Sequence, residues 1–120
     1  INTPFDFTKF KKIDKEINND YGQLKIGEGY DHCFVLNKNS SIAAELSSEA
    51  SGRKLIISTN QPGIQFYSGN HLSGFFNKNQ GLCLETQHFP DSPNNDSFPT
   101  TKLIANKEYY SETIYFFDVI

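Results

Sequence analysis

The sequence predicts an all-β protein built as an antiparallel β-sandwich, and three features predict it. Eleven Phe and six Tyr bring the aromatic share to 14% without a single Trp, and Phe and Tyr favour pleated, half-buried surfaces. From residue 32 onward the apolar residues recur with period two or in short runs, each of strand length. Helical patterns do not alternate with those runs, which disfavours a doubly wound parallel sheet and favours a sandwich.

Taken in order, the elements begin with a helical stripe. After Thr3-Pro4, the residues Phe7, Phe10, Ile13 and Ile17 are spaced by three or four with Lys and Asp between them, the pattern of one apolar face on a short helix. Asn18-Asn19-Asp20-Tyr21-Gly22 is expected to end it. Strands are expected over residues 32–36, 42–46, 54–59, 64–67, 82–86 and 109–120. The breaks between them hold Asn37-Lys38-Asn39-Ser40-Ser41, Ser51-Gly52, Gln61-Pro62-Gly63, Ser68-Gly69-Asn70 and Phe89-Pro90-Asp91-Ser92-Pro93-Asn94, all of them turn or loop chemistry. No internal repeat or interdomain linker is visible.

With 120 residues, 37% of them hydrophobic and 21% charged, the chain has the size and composition of one globular domain or part of one. No apolar run approaches the roughly 20 residues that cross a bilayer, so a membrane partner is not expected. Eleven Lys plus Arg against fourteen Asp plus Glu leave a net charge of −3, too little positive field for nucleic acid. The chain holds no Met and opens on Ile-Asn-Thr-Pro in mid-pattern, the composition expected of a piece of a longer polypeptide. Asn39-Ser-Ser and Asn95-Asp-Ser match the glycosylation acceptor pattern without fixing a compartment.

Cys33 and Cys83 lie in apolar runs and are expected as buried free thiols. His32, His71 and His88 lack the close spacing of a zinc site, so no metal is expected. Three polar residues inside apolar strands stand out. In Gly81-Leu82-Cys83-Leu84-Glu85-Thr86-Gln87, alternation puts Leu82 and Leu84 on one face and Cys83, Glu85 and Gln87 on the other. Glu85 is then either a solvated strand residue or an acid-base group with a perturbed pKa. Asp31, heading the run His32-Cys33-Phe34-Val35-Leu36, is either a turn or cap residue or a ligand, and Gln65, inside Ile64-Gln65-Phe66-Tyr67, either bonds to backbone or faces a ligand. Carboxylates, amides and aromatic faces are the groups that grip a pyranose, whose hydroxyls and C–H faces they match.

The strings Thr3-Pro4-Phe5-Asp6-Phe7, Gly29-Tyr30-Asp31-His32, Ser51-Gly52-Arg53, the run from Gln61 to Asn70 (QPGIQFYSGN) and the run from Gly81 to Asn94 (GLCLETQHFPDSPN) occur in that order. Together they resemble the C-terminal part of the aldose 1-epimerases, the galactose mutarotases. The resemblance implies a large antiparallel β-sandwich (a supersandwich), with residues 1–120 as roughly its C-terminal third within one domain. It implies interconversion of the α and β anomers of free hexoses such as galactose and glucose, without redox cofactor or metal. It assigns Glu85 as the general base on the anomeric hydroxyl, and Asp31 and Gln65 as holders of sugar hydroxyls. The general acid, a histidine, would lie outside these residues, since His32, His71 and His88 do not match it.

The implied partners are therefore a hexose and the rest of the parent polypeptide, and by resemblance alone the compartment is the cytoplasm. Departures from the family pattern fall at Thr8, Cys33, His71 and Ala105-Asn106, none of them a residue assigned to the chemistry. A base works best with a pKa near the working pH, so partial burial of Glu85 by Cys83 and neighbouring aromatics is expected. The other readings are a non-catalytic sugar-binding sandwich and a sugar-phosphate epimerase of related fold, the latter with only Arg53 to offer as a fork for phosphate.

Overall fold

A computed structural model describes residues 2–120. Among the described residues six strands form in order: β1 (Asp31–Val35), β2 (Ala44–Ser48), β3 (Arg53–Thr59), β4 (Gly63–Tyr67), β5 (Cys83–Gln87) and β6 (Thr113–Val119). They make two three-stranded sheets, ordered β1-β4-β5 and β2-β3-β6. The second sheet is antiparallel throughout, with Ile57 paired to Ala44 on one side and Tyr115 on the other. In the first, Ser68 N–H donates to Tyr30 O and Leu36 N–H to Pro62 O, a crossing pattern that makes β1 and β4 antiparallel. The expected antiparallel β architecture is met, and each strand lies within a few residues of its expected position.

The N-terminal helix does not form as the stripe predicts. Phe7 and Phe10 precede a 3-10 turn at Ile13–Lys15, and the α-helix proper, α1, spans Gly22–Gly27. The rings explain the difference. Phe5 and Phe7 pack edge-on against Tyr30, at centroid distances of 5.7 and 5.2 Å, and Phe7 meets Phe66 at 5.7 Å. Ring contacts of this kind with residues distant in sequence outweigh a weak local helix preference, and Phe10 is left 74% exposed.

The chain divides into two compact units: residues up to His32 with Phe66–Leu84, and Cys33–Gln65 with Glu85–Ile120. The first is centred on Tyr30, fully buried and stacked on Phe66 at 5.2 Å. Its phenol donates to Pro4 O at 3.0 Å, and burial, with Glu16 nearby, pushes the phenol pKa up to about 12. Beside it Ser68 and Asn70 form a buried polar knot. Tyr30 N–H donates to Ser68 Oγ, Ser68 Oγ–H to Asn70 Oδ1 at 2.6 Å, and the Asn70 amide to Gly27 O and Tyr30 O. Gly29, at φ +140, passes so close that a Cβ would overlap Asn70 Oδ1 at 2.3 Å, so the knot demands glycine there.

The second unit holds all of β2, β3 and β6. Ile57, fully buried, is its apolar centre. Lys54 bridges to Glu45 at 2.8 Å across β2 and β3. Thr113 ties β6 to two strands, its hydroxyl lying 2.6 Å from that of Thr86 on β5 and 3.0 Å from that of Thr59 on β3.

Candidate functional site

Residues 33–35, 63–65 and 85–87, from β1, β4 and β5, belong to the second unit. There Cys33 Sγ lies 2.9 Å from where a Cβ on Gly63 would stand, and the Gln87 side chain comes near enough to the Cys33 thiol to lower its pKa. These contacts put Cys33, the Cβ-less side of Gly63 and Gln87 on one face of the sheet. The two-residue period of each strand then adds Gln65 from β4 and Glu85 from β5 to that face. Gln65 is half-buried, its Oε1 screened from solvent. Glu85 is exposed. A carboxylate and an amide on neighbouring strands can accept a proton or a hydrogen bond from one hydroxyl and donate to another.

Two expectations are corrected. Cys83 is exposed, because β5 turns Leu84 and Thr86 inward and Cys83 outward, and Cys33 on β1 is only half-buried. Exposure of Cys83 also means that it does not bury Glu85, whose carboxylate stands open on the same face. Burial raises the Cys33 thiol pKa, with the Gln87 hydrogen bond opposing the rise.

Asp31 opens β1 in the first unit and is exposed. Its N–H donates to Nδ1 of His32 at 3.0 Å. The imidazole of His32 packs edge-on to Phe5 at 4.5 Å. Burial depresses the His32 pKa, and the Asp31 carboxylate opposes the fall. His32 is therefore a neutral packed ring whose Nδ1 is occupied as an acceptor. Among the described residues, no group of three or more His, Cys, Asp or Glu could hold a metal ion, and no helix is long and apolar enough to cross a membrane. Arg53, the phosphate candidate, starts β3 in the other sheet, paired with Ser48 and Val119.

Alternation along β5 places Gln87 on this face with Glu85 already in the sequence. Nothing in the sequence adds Cys33 to it, because the contact depends on which strand neighbours β1.

Residues 1–116 match the sequence family described as Aldose 1-epimerase. Galactose mutarotase of Mus musculus is 43% identical over 101 residues, covering 76% of this chain and 30% of that protein. Aldose 1-epimerase of Escherichia coli (strain K12) is 38% identical over 127 aligned positions, covering 96% of this chain and 36% of that protein. A solved aldose epimerase homologue from C. elegans superposes with a TM-score of 0.85 at 29% identity, over 99% of this chain and 38% of that one. The chain thus spans about a third of the length of the curated relatives it matches.

Proposed function

Because the chain belongs to the aldose 1-epimerase family, we propose that it carries the base side of a mutarotase site acting on free hexoses such as galactose and glucose. Support comes chiefly from the placement of Glu85, an exposed carboxylate held on a strand face beside the half-buried amide of Gln65. Exposure is what a base needs if it is to touch the anomeric hydroxyl of an incoming sugar.

In this account Glu85 takes the proton of the C1 hydroxyl while an acid, a histidine outside these residues, protonates the ring oxygen. The C1–O5 bond breaks as the C1–O1 bond becomes a carbonyl. Rotation about C1–C2 presents the other face of the aldehyde, and the C5 hydroxyl adds to it. The two protons return along the same path, so neither electrons nor atoms are gained from outside. Gln65 and Asp31 hold ring hydroxyls during the rotation. General base catalysis of this kind contributes typically about 10²- to 10⁴-fold.

Polarimetry on freshly dissolved α-D-galactose tests the function. The enzyme that contains these residues should speed the approach to the equilibrium rotation, and α-D-glucose should behave alike. A rate equal to that of buffer for both sugars would overturn the proposal.

A further inference from the structure

The second unit also holds a cavity of about 530 Å³, lined in part by Lys38, Asn60, His88, Tyr109 and Tyr110, inside the roughly 300–1,000 Å³ range of small-molecule pockets. What its wall offers a ligand depends on which polar groups are already engaged. Asn37 Oδ1 accepts from Asn39 N–H at 3.0 Å, Ser40 Oγ from Ile42 N–H at 3.1 Å, Thr59 Oγ1 from Gln61 N–H at 3.2 Å and Asn60 Oδ1 from Glu112 N–H at 3.0 Å. The Tyr109 oxygen accepts from Gln61 Nε2 at 2.7 Å, and Gln61 Oε1 is buried out of reach. Tyr110 donates its own proton to Glu112 Oε2 at 2.6 Å. Lys38 and His88 differ from these: neither has a hydrogen bond or ion pair among the described residues, and His88 meets the Tyr109 ring at 6.3 Å.

The side chains left over are chiefly donors. The Lys38 ammonium carries three, a His88 ring nitrogen donates in either protonation state, and the Tyr109 hydroxyl, its oxygen already accepting, keeps a proton to give. Lys38 is also a cation without a counter-ion. Among the described residues that line the cavity there is no Asp or Glu, although the chain as a whole carries −3. We propose that this cavity is a second binding site, for a small organic anion held through carboxylate or phosphate oxygens, with Lys38 as its charge partner and His88 and Tyr109 as further donors. An ammonium ligand would meet like charge here, and a neutral hydroxyl would leave Lys38 unpaired. Leu36, Pro62 and Pro99 give the wall an apolar part against which the carbon body of such an anion can lie. None of Cys33, Gln65, Glu85 and Gln87 lines the cavity, so the site is separate from the Glu85 face and does not rest on its chemistry.

Phenyl phosphate, benzoate and benzyl alcohol are the probes, since they carry one apolar ring with a phosphate, a carboxylate and no charge. Titration into the ¹⁵N-labelled enzyme that contains these residues should shift the backbone amides of Lys38, His88 and Tyr109 along one saturable curve for an anion, and not for benzyl alcohol. Saturation by phenyl phosphate alone assigns a phosphate, by benzoate alone a carboxylate, and by both the oxyanion they share; each supports the proposal. Lys38 is exposed in a turn, so Lys38→Gln removes the charge without threatening the fold. It should weaken binding about tenfold, the loss of one charge-assisted hydrogen bond. Lys38→Arg should restore most of the affinity, raising NaCl from about 0.05 to 0.5 M should reduce it, and Glu85→Gln should leave it unchanged. The proposal is overturned if neither anion moves those amides, if benzyl alcohol moves them as well as the anions do, or if Lys38→Gln binds as tightly as its parent. Amides protected from exchange and indifferent to every probe would place another segment of the enzyme in the cavity, and would overturn it too.

Discussion

Asp31 and Gln65 are proposed to bind, whereas His32 packs. Asp31 and Gln65 are proposed to touch sugar hydroxyls in ground and transition states alike, so Asp31→Asn and Gln65→Ala should raise KM more than they lower kcat. A hydrogen bond to a charged group is worth about 1.5–3 kcal/mol and a neutral one less, so Asp31→Asn should have the larger effect. Steady-state polarimetry checks this, and unchanged KM in both variants would remove the pair from the site. His32 has a different role. Its folded pKa is depressed below the ordinary 6.5 by burial, so the unfolded chain binds more protons between the two values. Stability from the neutral ring is therefore complete above about 6.5 and is lost as pH falls through the lower folded value. Urea midpoints measured from pH 8 down to 4 should fall on the acid side, and less steeply in His32→Asn. Parallel curves for the two proteins would show that His32 does not titrate in this way.

At the scale of elements, β4 is pinned by the contact between Gly63 and its neighbours. A Cβ there would stand 2.9 Å from Cys33 Sγ and 3.1 Å from the Phe89 ring. Gly63→Ala should therefore cost about 1–3 kcal/mol, the usual penalty of overpacking, read as a lower thermal midpoint. A Gly63→Ala protein as stable as its parent would show that β1 can move aside. Such contacts mark the limit of what was legible in the chain. Strands announced themselves because alternation survives in residues such as Leu82, Leu84 and Glu85, and turn chemistry at Gln61-Pro62-Gly63 bounded them. The helix was misplaced because Phe7 and Phe10 mimic a helical stripe while Phe7 spends its ring on Tyr30 and Phe66, partners that local spacing does not reveal. Glu85 was legible as a polar residue on an apolar strand. Its openness was not, since burial depends on what packs across the sheet. Lys38 gave no periodic signal, because it sits in a turn.

For the whole molecule, β6 is the edge of its sheet and carries Ile114, Phe116, Phe117 and Val119 at 53–76% exposure. An apolar strand open on both faces marks a surface built to be covered, in keeping with relatives of which this chain matches about a third. What residues 1–120 are proposed to bring to a mutarotase site is one reacting group. Glu85→Gln keeps the shape of the side chain and removes its ability to accept a proton, so it isolates that contribution. Measuring the pH profile of kcat by polarimetry, for the enzyme containing these residues and for its Glu85→Gln variant, tests the central claim most directly. The account predicts that kcat falls by about 10² or more, that KM changes much less, and that the acidic limb of the profile disappears. A variant that keeps kcat within a few-fold of the parent and retains the acidic limb would contradict it.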